Sequence, residues 1–292
     1  MTPEHAHTPT TSLQLTTRWI YGPDVADTVR PDDRTLAGAV ALVSGAGDGI
    51  GRACALAFAA DGARVVLGAR DATRLGHLAD EVRGSGGDAV AVPTDITDAD
   101  QVQRLVDSAV DAFGRLDAVV NVAAHAAPPT FIESFVPEDY RRSFEVNVLG
   151  TLEVSRRALP HLRAAGGGSI VQISALSAHT RLAGLADYTA TKAALETASI
   201  TLAREVGRDG IRVNVVVPGY TTGAGLDGHL EALAARRGVT RDDIERELVR
   251  SSALRRFVDP ADIAEAVLYL ASGRSRAVTG QFLHVNAGEW LA

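Results

Sequence analysis

Lysine is almost missing from this 292-residue chain: of its 29 basic residues, Lys192 alone is a lysine and the rest are arginine. Cysteine is as rare. Cys54 stands alone, which excludes a disulfide framework and a thiolate metal cluster. No apolar run approaches the roughly 20 residues that cross a bilayer, the N-terminus lacks a charged-then-apolar leader pattern, and no block of five or six basic residues occurs. With a formal net charge of −7, these absences argue against membrane and nucleic-acid partners. They favour a cytoplasmic protein. Aromatics make up 5% of the chain while Ala, Val, Leu and Gly abound, a mix suited to helices packed closely on a parallel sheet.

What is present falls into two parts. Residues 1–34 are rich in Thr, Pro, Asp and His without sustained periodicity, and read as a tail or loosely packed arm. Trp19, Ile20 and Tyr21 could dock this arm onto the body or onto a partner subunit. His5 and His7 read as solvated tail residues, so no metal is expected. Residues 35–292 form one domain with a regular pattern. Strands are expected at 40–44, 64–69, 89–93, 116–121, 169–174, 212–217 and 282–285. Helices are expected at 50–60, 71–83, 98–113, 137–145, 148–164, 186–206 and 260–271, with a charged helical stretch at 226–256. The strands are continuous Val/Ile/Leu runs, as when both sheet faces are covered. The fold class is therefore α/β: a Rossmann-type, doubly wound parallel sheet of about seven strands.

Gly45, Gly49 and Gly51 stand between the first strand and the first helix, with Asp48 and Ile50 among them. Such a turn brings backbone N–H groups and a helix N-terminus up to a pyrophosphate. The second strand ends in Gly68-Ala69-Arg70. An acidic residue there would bind the ribose 2′-hydroxyl of NAD(H); a guanidinium instead suits a 2′-phosphate. NADP(H) is the preferred cofactor on this reading and NAD(H) the alternative, because Asp48 opposes a second phosphate. Tyr188 and Lys192 lie four apart in a helix and share one face. An ammonium beside a phenol is expected to lower the phenol pKa from its usual ~10, fitting Tyr188 to pass a proton to or from a carbonyl oxygen. The compact lysine ammonium, which arginine cannot mimic, explains why the single Lys stands here.

Together these residues resemble the short-chain dehydrogenase/reductase family over roughly residues 36–290. The likeness includes the Gly45/Gly49/Gly51 turn, Asp95 and Ile96 after the third strand, and Asn121-Val122-Ala123-Ala124 after the fourth. It continues through Asn147, the Tyr188-to-Lys192 motif, Pro218-Gly219 with the following Thr221, and Thr279-Gly280-Gln281. The resemblance implies a seven-stranded sheet, Asp95 at the adenine, Ala123 on the cofactor floor, and Pro218, Gly219 and Thr221 around the nicotinamide. It further implies Lys192 on the ribose, Asn147 holding a catalytic water, and a homo-oligomer, tetramer or dimer.

Some positions depart from the family pattern. Ala175 occupies the place, 13 before the tyrosine, where the family carries a substrate-orienting serine. Ser174 is expected to point the other way by strand alternation. Ser177 has the right parity to reach the substrate if the chain stays extended. Val122 and Ala124 change the floor of the cofactor site, and Gly223 replaces a usual Thr. The expected activity is hydride transfer between NADP(H) and a ketone or secondary alcohol; Ala175 motivates an alternative, a redox-neutral cyclase, isomerase or dehydratase. The 226–256 stretch is expected to be a substrate lid, its Arg236, Arg237, Arg241, Arg246 and Arg250 solvated rather than binding an anion. Ala193, Ala194, Ala198 and Leu202 give the 186–206 helix a second apolar face, as burial against sheet and subunit requires.

Overall fold

Every expected strand forms. β1 (Val40–Ser44), β2 (Arg64–Ala69), β3 (Ala89–Pro93), β4 (Ala118–Asn121), β5 (Gly168–Ile173), β6 (Ile211–Pro218) and β7 (Phe282–Val285) pair in the order β3-β2-β1-β4-β5-β6-β7, all parallel. The arrangement comes from a computed structural model that describes residues 36–290. The 1–34 arm, with His5, His7 and Trp19 to Tyr21, lies outside the described residues. In chain order the helices are α1 (Ile50–Ala60), α2 (Ala72–Gly84), α3 (Ala99–Phe113), α4 (Pro137–Phe144), α5 (Thr151–Ala164), α6 (Ser177–Thr180), α7 (Ala186–Val206), α8 (Ala224–Arg237), α9 (Arg241–Ser251) and α10 (Pro260–Ala271).

Strand alternation divides the core. Ala41 and Val43 of β1 face α1, α2 and α10, while Val40 and Leu42 face α3, α5 and α7. Helix α3 shows why these helices form: Val102, Leu105, Val106 and Ala109 recur at helical spacing and are all buried. Truncating Leu105 to Ala should cost ~2–5 kcal/mol. Helix starts follow side-chain chemistry. Asp71 and Asp98 accept first-turn N–H groups of α2 and α3, and Thr240 with Asp243 forms a capping box at α9.

Two segments depart from the sequence pattern. The stretch expected as two helices over 137–164 is one helical run, in which π-helical residues Glu145–Gly150 join α4 to α5. Such bulges re-aim side chains, often at functional sites; this one holds Asn147 fully buried. After β5 the chain does not stay extended but turns at once into α6. Helices α8 and α9 occupy the expected lid and pack on one another through Leu226, Leu230, Ala234 and Ile244. No helix among the described residues is long and apolar enough to cross a membrane.

Candidate active site

Strand order reverses at β1 and β4, whose last residues, Ser44 and Asn121, are paired neighbours. The crevice beyond the carboxyl ends of such strands is where open α/β sheets bind ligands. Here it holds a cavity of about 810 Å³ whose lining includes Gly45, Asp48, Arg70, Asp95, Ile96 and Ala123. The glycines are needed for closeness. A Cβ on Gly45, whose φ is +87°, would stand 2.2 Å from Ala123 N, and one on Gly51 would stand 2.1 Å from Gly45 O. The turn is thus pressed onto β4 and the start of α1, whose first-turn N–H groups lack intrahelical acceptors. Gly49 takes φ +80° at the helix start. Gly49, Gly51 and Ile50 do not line the cavity. The Ile50 side chain packs against the core on the α1 side of the sheet, which leaves its backbone N–H at the helix start.

Charge at the far rim is balanced. Arg74 Nη1 lies 3.3 Å from Asp48 Oδ2 and Arg74 Nε 3.3 Å from Asp71 Oδ2, while Asp71 Oδ1 caps α2. Arg70 stands exposed on the cavity wall. Burial works to raise the Asp95 pKa, but hydrogen bonds from Thr97 and the Arg142 and Arg70 guanidiniums outweigh it and hold the carboxyl below its usual value. The cleft residues suit a dinucleotide: an open groove, helix-terminal N–H groups at one end and guanidiniums at the other. Val122 and Ala124 line its floor as expected. Asn121 is buried beneath, donating to Ser155 Oγ at 3.1 Å.

Helix α7 positions Tyr188 on its first turn, where the ring lines a second cleft of about 280 Å³ with Ala175, Ser177, Pro218, Gly219 and Thr221. One turn on, Lys192 is buried, with 2% of its surface exposed. Its Nζ donates to Ile173 O at 2.7 Å and lies 5.6 Å from the centre of the Tyr188 ring. The expected lowering of the Tyr188 pKa is corrected here. Burial, then the Asp187 carboxylate, pushes the phenol up to about 12, and burial pushes Lys192 down to about 8 against the pull of Glu196. Desolvation of the phenolate outweighs an ammonium that faces the ring rather than the hydroxyl.

Asn147 bridges the two clefts. Its Nδ2 donates to His125 O at 2.8 Å and to Thr191 Oγ1 at 3.0 Å, and its Oδ1 accepts from His125 N at 2.7 Å. Thr191 Oγ1 in turn donates to Tyr188 O at 2.7 Å. This bridge ties the cofactor-side loop to the turn that carries Tyr188. Ser174 points away from the cleft, as strand alternation required, and donates to Glu196 Oε1 at 2.6 Å. His179 Nε2 lies 3.1 Å from the same oxygen. Ser177 reaches the cleft by a different route from the one expected: the turn into α6, not an extended chain, puts it there. Its Oγ is buried without a hydrogen-bond partner among the described residues.

Several residues at the site carried no sequence signal strong enough to find them: Thr191 and Arg74, and, around the Tyr188 cleft, Tyr220, His229 and Glu289. Thr191 lies within the Tyr188-to-Lys192 motif but at neither of its reactive positions, the others belong to no spaced motif, and only the fold brings them together. The α8 and α9 arginines do not line the cleft. Arg237, Arg241 and Arg246 pair with Glu247, Asp227 and Asp243.

The chain is similar to known proteins over nearly all of its described residues. Residues 45–289 match the family model described as enoyl-(acyl carrier protein) reductase. An uncharacterised oxidoreductase of Methylorubrum extorquens is 40% identical over 257 residues, covering 87% of this chain and 98% of that protein. The 7alpha-hydroxysteroid dehydrogenase of Escherichia coli K12 is 33% identical over 257 residues, covering 88% and 96%. A solved structure of a 7alpha-hydroxysteroid dehydrogenase, complexed with NADH and 7-oxo glycochenodeoxycholic acid, superposes with a TM-score of 0.81 at 32% identity, covering 89% of this chain and 97% of that one.

Proposed function

The chain belongs to the short-chain dehydrogenase/reductase family, and from that premise we propose that it moves a hydride between NADP(H) and a ketone or secondary alcohol, with Tyr188 as general acid and base. One observation carries the reading: Tyr188 lines a cleft at the sheet's carboxyl edge while the single lysine sits buried beneath its ring. A bound nicotinamide dinucleotide supplies or accepts the hydride.

The chain's own residues do the rest. The N–H groups at the start of α1 would hold the pyrophosphate, and Asp95 with Ile96 would flank the adenosine. Arg70 would take a 2′-phosphate bidentately. The nearby carboxylates oppose it little, since Asp71 caps α2 and Asp48 pairs with Arg74. Lys192 would reach the nicotinamide-side ribose, and Pro218, Gly219 and Thr221 would border the nicotinamide. With its pKa near 12, Tyr188 keeps its proton at neutral pH, the state needed to protonate a carbonyl oxygen as hydride arrives. Ser177 Oγ would donate the second hydrogen bond to that oxygen, in place of the serine missing at Ala175. Its presence in the cleft weakens the motive for a redox-neutral reaction. Asn147 acts by holding the Tyr188 turn in place.

Leu149 is 56% exposed and shares an apolar groove with Leu152, Leu159 and Leu202, which supports a homodimer or homotetramer. The test of the activity is direct: purified protein, NADPH or NADH, and a panel of ketones, followed by loss of reduced nicotinamide absorbance. Turnover with a higher kcat/KM for NADPH is expected. Tight cofactor binding without turnover of any ketone or alcohol would overturn the proposal.

A further inference from the structure

The cleft in front of Tyr188 is lined by two residues that each carry a polar atom the protein leaves unsatisfied. Ser177 Oγ and His229 Nε2 are both buried without a hydrogen-bond partner among the described residues, and both residues line this cleft. Ser177 is accounted for by the reacting carbonyl. His229 is not. It belongs to the lid helix α8, and its ring stacks on Tyr220 with centroids 5.9 Å apart and planes inclined by 27°. The stack fixes the plane of the imidazole. Tyr220 N in turn donates to Glu289 Oε2 at 3.3 Å, and the Glu289 carboxyl shares the cleft wall. A desolvated nitrogen left unpaired is costly, so a helix that carries one beside the cleft is suited to meet a polar atom of the ligand.

The remaining wall limits what that ligand is. Leu176, Leu182, Leu185, Leu226 and Pro218 make most of it apolar, and among the described residues that line it none is lysine or arginine. A carboxylate or phosphate entering here would find the Glu289 carboxyl and no cation. A hydroxyl, which donates and accepts at once, fits both an imidazole nitrogen and a carboxyl oxygen. Burial, and then the Arg236 guanidinium, hold the His229 pKa below the usual histidine value, so the ring is neutral at pH 7 and offers no charge to an anion.

We propose that His229 sets the specificity of this cleft, and that the substrate is a neutral hydroxyketone: an apolar, ring-sized frame bearing a hydroxyl remote from the reacting carbonyl, received by His229 Nε2 with Glu289 alongside. This rests on the reading of the site as a ketone reductase. Because His229 rides on α8, the same hydrogen bond couples recognition to the seating of the lid.

Three ketones on one frame test the proposal: 2-decalone, 6-hydroxy-2-decalone and 6-carboxy-2-decalone. Each is assayed for turnover with NADPH and, separately, for binding to the NADP⁺-loaded protein by calorimetry. The hydroxyketone should exceed the parent ketone at least tenfold in kcat/KM and in affinity, with the gain in KM. The carboxylate should fall at least tenfold below the parent. His229→Phe should bring the hydroxyketone-to-parent ratio to about one, and His229→Gln, which keeps a polar group, should retain part of it. The predicted affinity order without turnover of any of the three would sink the reductase reading and leave the cleft chemistry standing. Turnover with equal values for all three, a preference for the carboxylate, a ratio unchanged in His229→Phe, or no binding of any of the three would overturn the inference.

Discussion

Replacing Ser177 by alanine should separate activity from stability. Ser177 Oγ is buried without a partner among the described residues, and an unsatisfied buried hydroxyl costs a fold about 1–3 kcal/mol. Removing it relieves that cost, so Tm should stay constant or rise, by about 2–4 °C for each kcal/mol relieved. The rate should move the other way. If Ser177 donates to the carbonyl oxygen as negative charge gathers there, its loss costs about 2.7–4 kcal/mol of transition-state stabilisation, a ~10²–10³-fold fall in kcat. Cofactor affinity should not change, because Ser177 lines the Tyr188 cleft and not the dinucleotide cleft. Initial rates of NADPH oxidation with the best ketone, NADPH titration and thermal unfolding provide the three readouts. Adding Ala175→Ser to the variant should restore part of the rate, since residue 175 lines the same cleft. A Ser177→Ala variant whose kcat stays within threefold of the parent would refute the assignment.

Other expectations follow from the charges. Reduction should slow as pH rises through about 8, where Lys192 loses its proton, with no limb from Tyr188, whose proton is held to about 12; a pH–rate profile flat to pH 10 contradicts this. The same depressed lysine pKa gives folding stability present above the ordinary lysine value and lost as pH falls towards 8, readable as Tm against pH. Arg70→Ala should raise the KM for NADPH about tenfold, the low end for a charge-assisted contact because the residue is exposed, and leave the KM for NADH nearly unchanged. Ser174→Ala should lower Tm with a smaller loss of rate than Ser177→Ala, since it takes the 2.6 Å hydrogen bond from the buried Glu196 carboxylate.

Where sequence reading succeeded, the cause was local. The strands are apolar runs that need no partner information to recognise. Asp71, Asp98 and Thr240 carry helix starts in their own side chains. Tyr188 and Lys192 share a helix face by spacing alone. It failed where tertiary packing decides. Nothing local marks the π-helical residues at Asn147 that join α4 to α5, and two separate helices looked equally natural. The four-residue α6 has no periodicity to detect, although it redirects Ser177. The Tyr188 pKa turned on burial, which spacing does not reveal. His229, on α8 among charged residues, gave no sign that its ring turns inward onto Tyr220.

The central claim, that Tyr188 is the proton donor for hydride transfer, is tested most directly in the Tyr188→Phe variant. Single-turnover oxidation of bound NADPH by a ketone that the parent protein reduces should slow by about 10²–10⁴-fold, with Tm and NADPH affinity unchanged. A variant that oxidises NADPH within a few fold of the parent rate would contradict the account.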